Sequence, residues 1–212
     1  MIVGTSIVVA GLVVGQLWAS RSLARRRWEW LFKPLASLGF VALGLSQGLP
    51  DDAYGRIMAV GLVLAALGDA FLIPKSRRWF LAGLVSFLLG HVAYAAAFAV
   101  RGLDASALGL ATGALVVVGA PIVRWLWPHV DEPMRGPVAA YVLVISAMVA
   151  LAVGTVAAHG NPWILVGAVG FYLSDLAVAQ QRFIRSTFAS RAWGLPLYYA
   201  AQLVLATTII AG

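Results

Sequence analysis

No cysteine occurs among the 212 residues, so disulfides and thiol chemistry drop out at once. Charge is scarce too: charged residues make up 11% of the chain against 62% hydrophobic, and the mean hydropathy is +0.92. A water-solvated domain of this length cannot bury that much apolar surface, which leaves the bilayer as solvent. No polar stretch is long enough to form a soluble domain, so residues 1–212 are expected to form a single transmembrane domain. With only eight acidic residues and three histidines in the chain, any of them inside an apolar run stands out.

The net charge of +7 would suit nucleic acid, but its distribution argues otherwise. Apolar runs near the ~20 residues that cross a bilayer fall at about 2–20, 31–49, 54–73, 79–100, 104–125, 136–158, 162–184 and 192–211. The expected fold is therefore all-α: a polytopic membrane bundle of eight transmembrane helices. Alternate connections hold Arg21, Arg25, Arg26, Arg27, Lys33, Lys75, Arg77, Arg78, Arg124, Arg135, Arg182, Arg185 and Arg191, and the others only Arg56 and Arg101. This bias puts the basic side in the cytoplasm and both termini outside. The charge then serves topology and anionic membrane lipids, with no nucleic-acid partner. The run from Ile2 to Ala19 has no basic residue before it and "RSLARRRW" after it. That is the reverse of a cleavable signal, so it reads as a retained span. Trp18, Trp28, Trp30, Trp79, Trp125, Trp127, Trp163 and Trp193 all fall at span ends, where interfacial belts form. Arginine outnumbers lysine 13 to 2, which suits a GC-rich bacterial genome and a bacterial inner membrane.

Asp69 and Asp175 each sit late in the third span of their half, 106 residues apart, and Pro34 and Pro137 open the second span of each half. A parallel four-plus-four repeat would produce both spacings.

Inside the spans the ionisable residues are Asp69, His91 and Asp175, with Lys33 and Arg182 near the basic mouths of their helices. At a rise of about 1.5 Å per residue, Asp69 lies about 6–8 Å from the basic end, Asp175 about 12 Å and His91 about 18 Å. Gly61, Ala65 and Asp69 recur every four residues, so the carboxylate shares a stripe with small residues that let helices approach. Tyr94 lies three residues after His91, Ser174 precedes Asp175, and Tyr198, Tyr199 and Gln202 enter the last span from the same side. Such side chains often serve only to bond helices together, at about 0.6 kcal/mol each. Two carboxylates in the same half of one bundle point instead to function.

The segments "LGDAFLIP", "RWFLAGLVSFLLGHVAYAAAF", "GFYLSDLAVAQQRF", "KPLAS" and "LYYAAQ" together resemble the YhhN-like lysoplasmalogenase family of membrane proteins. The matching positions are Lys33-Pro34, Asp69, Phe80-Gly83-Phe87-His91-Tyr94, Ser174-Asp175 with Arg182-Phe183, and Tyr198-Tyr199-Gln202. The resemblance implies a hydrolase that cleaves the vinyl ether of a lysoplasmalogen, a lysophospholipid drawn from the bilayer. Its products would be a fatty aldehyde and glycerophosphoethanolamine or glycerophosphocholine.

A vinyl ether resists base and yields to acid, so such a site needs a proton donor, a carboxylate to stabilise the oxocarbenium ion and activate water, and a dry pocket. That is the two-carboxylate logic of glycoside hydrolysis. Asp69 and Asp175 are expected to divide those roles in either order, with His91 orienting one carboxylate or the water. Lys33 and Arg182 would meet the phosphate. Tyr94, Ser174, Tyr198, Tyr199 and Gln202 would line the substrate or water path, with no cofactor and no metal. Two other readings compete. A ceramidase-type metal hydrolase is disfavoured because only His91 among the histidines lies within a span. A proton-coupled transporter is disfavoured because the polar cluster sits toward one face.

Overall fold

The computed structural model describes residues 1–47 and 52–210. Eight α-helices follow one another: α1 (Ile2–Ser20), α2 (Glu29–Ser46), α3 (Ala53–Phe71), α4 (Arg77–Arg101), α5 (Ala105–Leu126), α6 (Glu132–His159), α7 (Pro162–Ala179) and α8 (Phe188–Thr207). Each coincides with one expected span. The outermost expected residues of two spans, Gly48 and Leu49 after α2 and Ala211 after α8, lie outside the described residues. Six helices are long and apolar enough to cross a membrane, namely α1 and α3 to α7. The other two, α2 and α8, carry Glu29, Lys33, Arg191 and Gln202 and pack into the same bundle.

Helix starts are set by caps more than by hydropathy. Asp52, Ser76 and Asp104 accept backbone N–H bonds at the heads of α3, α4 and α5, and Asn161 does so for α7. Thr187 and Ser190 form a reciprocal capping box, which starts α8 at Phe188, four residues before its apolar run. Glu132 opens α6 equally early, with Pro133 in its first turn. Past Ala179 the α7 ladder widens into a π turn over Gln180–Ile184.

A ring of six helices runs α2, α3, α4, α6, α7, α8 and back to α2. Outside it, α1 lies on α2 and α8, and α5 on α6; both are largely uncovered. The seams α1–α2, α2–α3 and α3–α4 recur in the second half as α5–α6, α6–α7 and α7–α8, and the α4–α6 junction recurs as α8–α2. A parallel four-plus-four arrangement generates this pattern. The tightest seam depends on a missing side chain: a Cβ on Gly68 would stand 2.7 Å from the Phe87 ring. Side-chain hydroxyls bond across this seam and the α4–α6 seam, Ser86 to the Leu64 carbonyl at 2.7 Å and Thr155 to the Phe98 carbonyl at 2.9 Å. All eight tryptophans stay exposed near helix ends, and one buried cluster extends from Val9 to Ile209.

Candidate active site

At the end of the bundle where the basic residues gather, a cavity of about 470 Å³ lies between the ring and the flanking helices α1 and α5. Its polar wall includes Lys33, Asp69, Tyr141, Ser174, Asp175 and Tyr198. Its apolar wall is built from α5 and α6 by Ile122, Leu126, Val138, Val142 and Ile145. A carboxylated, partly hydrocarbon-walled chamber of this kind suits an amphiphile better than a small polar solute.

Asp69 is 2% exposed and fully partnered. Its Oδ1 stands 3.1 Å from Lys33 Nζ, and its Oδ2 accepts from the Ser37 hydroxyl at 2.7 Å. Lys33 and Ser37 are one turn apart on α2, so a single helix face supplies both. Tyr199 of α8 closes the group, with its hydroxyl 3.3 Å from Ser37 Oγ and from the Lys33 carbonyl. An ammonium ion and a hydroxyl donor are the partners that suit a buried carboxylate.

Asp175 has a different setting. Tyr141 of α6 donates to its Oδ2 at 2.6 Å, and the same oxygen lies 3.5 Å from His91 Nε2 on α4. The other ring nitrogen, Nδ1, is 2.7 Å from the Phe87 carbonyl and must donate to it, since a carbonyl only accepts. A neutral His91 therefore turns a bare lone pair toward Asp175, and this contact is attractive only if a proton lies between the two. At 3.5 Å the bond is not made, which leaves Nε2 as one of three buried polar side-chain atoms without a hydrogen-bond partner among the described residues. Such contacts commonly tighten only when substrate is bound. Phe171 stacks on His91 at a centroid distance of 4.2 Å and reaches Tyr198 at 5.5 Å, joining the two aspartate settings by aromatic contact.

The remaining residues named from sequence separate into two groups. Ser174 and Tyr198 line the cavity, although Ser174 donates to the Phe171 carbonyl at 2.7 Å. Arg182 lies at its rim, its guanidinium 4.4 Å from the Phe80 ring centroid. Tyr94 and Gln202 bond each other at 2.7 Å and, like Tyr199, lie outside the cavity lining. Tyr141 and Ser37 escaped the sequence reading. Ser37 was within the quoted "KPLAS", and Tyr141 follows Pro137 much as Ser37 follows Pro34. The register differs by one, however: the 103-residue offset from Pro34 to Pro137 carries Ser37 to Ala140, so the half-chain repeat alone does not point to Tyr141. Among the described residues, no three His, Cys, Asp or Glu side chains gather as metal ligands would.

The YhhN family model matches residues 28–209, which covers α2 to α8. The chain belongs to the YhhN family. Within it, the chain is 34% identical to lysoplasmalogenase TMEM86A of Bos taurus, over 85% of this chain and 73% of that protein. It is 33% identical to lysoplasmalogenase TMEM86A of Homo sapiens, over the same shares. The lysoplasmalogenase of Mycobacterium tuberculosis is 31% identical, over 81% of this chain and 67% of its own length. No solved structure matches this YhhN-family chain.

Proposed function

We propose that this chain is a lysoplasmalogenase whose chemistry is carried by Asp69 and Asp175. The YhhN match and the relatives' names support the activity; the unequal setting of two carboxylates on one cavity supports the division of labour. Asp175, facing His91 with a proton to share, is the acid. It protonates the alkene carbon remote from oxygen, and the C=C pair becomes the new C–H bond. The oxocarbenium ion that remains is stabilised by the Asp69 carboxylate, which Lys33 holds at 3.1 Å. Asp69 removes a proton as water adds to the cationic carbon, giving a hemiacetal. The bond from the hemiacetal carbon to the glycerol oxygen then breaks: Asp69 gives its proton to the departing oxygen, Asp175 takes the hemiacetal hydroxyl proton, and aldehyde and glycerophosphoethanolamine separate with both residues back in their starting states. His91 and Tyr141 hold Asp175 in place through both of its charge states.

The alkenyl chain occupies the apolar wall of α5 and α6, and the basic end faces the cytoplasm of a bacterial inner membrane by the positive-inside rule. Aldehyde release from lysoplasmenylethanolamine by purified Asp69→Asn and Asp175→Asn variants tests the scheme. Each is expected to lose at least about a hundredfold in turnover while staying folded, as loss of positioned acid–base groups does. Near-normal turnover in either folded variant refutes the two-carboxylate mechanism.

A further inference from the structure

We propose that Arg26, Lys75 and Arg191 form a seat for the phosphate of the glycerophospholipid at the cavity mouth, with Gln16 as a further donor; this rests on the hydrolase reading above. Five cations line the cavity (Arg26, Lys33, Lys75, Arg182, Arg191) against three carboxylates, Glu29, Asp69 and Asp175. Lys33 is committed to Asp69, and Arg182 lies over an aromatic ring. These are the two side chains the sequence had assigned to the phosphate. Arg191 of α8 holds Glu29 of α2 at 3.2 Å, an ion pair that aligns the guanidinium at the mouth. Among the described residues, neither Arg26 nor Lys75 has a carboxylate within ion-pair distance.

The α1–α2 connection, the α3–α4 connection and the start of α8 thus bring three cations together with one carboxylate between them. The crowding registers on Lys75. Although it still touches solvent, the protein around it and the Arg191 and Arg26 guanidiniums, with Lys33 further in, lower its pKa to about 8, against the pull of Glu29. Three like charges with a single counter-ion leave an excess that makes a site for an anion. Gln16 of α1 adds a further donor: it lines the same cavity, is 4% exposed, and its Nε2 completes no hydrogen bond among the described residues, although its side chain comes within electrostatic reach of the Tyr199 hydroxyl. A buried amide donor is rarely left unsatisfied. A phosphate oxygen that also reached the arginines would satisfy it, with bidentate geometry from each guanidinium.

The test compares two substrates in the full chain purified in detergent: lysoplasmenylethanolamine, and a 1-alkenylglycerol with no phosphate. Lys75→Met is expected to raise KM for the phospholipid about tenfold, as loss of one charge-assisted bond does, with kcat little changed. Turnover of the alkenylglycerol should not move. Lys75→Arg should retain the wild-type KM and also remove a rise in KM that the wild type shows above about pH 8, where Lys75 loses its proton. Unchanged KM in Lys75→Met, or equal losses on both substrates, overturns the seat. Thermal protection supplies a readout apart from turnover. Protection by glycerophosphoethanolamine that Lys75→Met abolishes supports the lipid headgroup as occupant, whereas equal protection by inorganic phosphate alone overturns that assignment. A wild-type protein that cleaves no vinyl ether yet keeps Lys75-dependent protection by glycerophosphoethanolamine sinks the hydrolase reading and leaves the phosphate seat standing.

Discussion

Tyr141→Phe removes one hydroxyl and leaves the ring, and that hydroxyl donates at 2.6 Å to the oxygen of Asp175 that faces His91. If Asp175 is the acid, it becomes a carboxylate as the proton leaves, and a donor at this distance is worth more to the anion than to the neutral acid. Hydrogen bonds to charged groups contribute about 1.5–3 kcal/mol, and each ~1.4 kcal/mol is a factor of ten. The substitution should therefore lower kcat between about tenfold and about a hundredfold, with KM moving much less, because the interaction matures in the transition state. The edge-on packing of ring 141 against His91, at a centroid distance of 5.3 Å, needs no hydroxyl and should persist. The melting temperature should stay close to that of the wild type. Aldehyde release from lysoplasmenylethanolamine at saturating substrate, with melting measured on the same preparation, decides the matter. An unchanged kcat would remove Asp175 from the acid role, and a fall in stability matching the fall in rate would make Tyr141 a packing residue only.

Lys33→Met leaves the Asp69 carboxylate buried without its cation, which costs about 3–5 kcal/mol. Melting should fall by several degrees, and adding Asp69→Asn should restore stability but not turnover; a single variant as stable as the wild type refutes the pairing. Gly68→Ala drives a Cβ to 2.7 Å from the Phe87 ring and should destabilise the α3–α4 seam by about 1–3 kcal/mol, read as a lower melting temperature. The cysteine-free chain is its own background for topology: thiol probes that cannot cross membranes should label Asp104→Cys from outside intact cells and Ser76→Cys only after permeabilisation. The opposite pattern reverses the orientation.

Eight helices and their approximate limits were readable because bilayer length and basic-residue bias act along the chain. The ends were less so, since Thr187 and Ser190 fix the start of α8 through a cap that hydropathy does not register. Asp69, His91 and Asp175 stood out as ionisable groups in hydrocarbon. Their partners did not, because Ser37 and Tyr141 are ordinary residues for a membrane helix and gain meaning only from the neighbour opposite. Tyr94 and Gln202 look as functional in sequence as Tyr198 does, yet they bond each other away from the cavity. Lys75 was one of thirteen basic residues on its side, and nothing along the chain distinguishes it until α8 brings Arg191 beside it.

Each half of the helix ring furnishes one carboxylate and a companion for the other. Asp69 on α3 is bounded by Tyr199 from α8, and Asp175 on α7 faces His91 from α4. Cutting the chain in the Gly102–Asp104 connection would therefore yield two four-helix pieces, each with an incomplete carboxylate setting, that complement only as a pair. In that sense the protein is a heterodimer written on one strand. Because α1 lies against α8, the two pieces would also meet through their first and last helices.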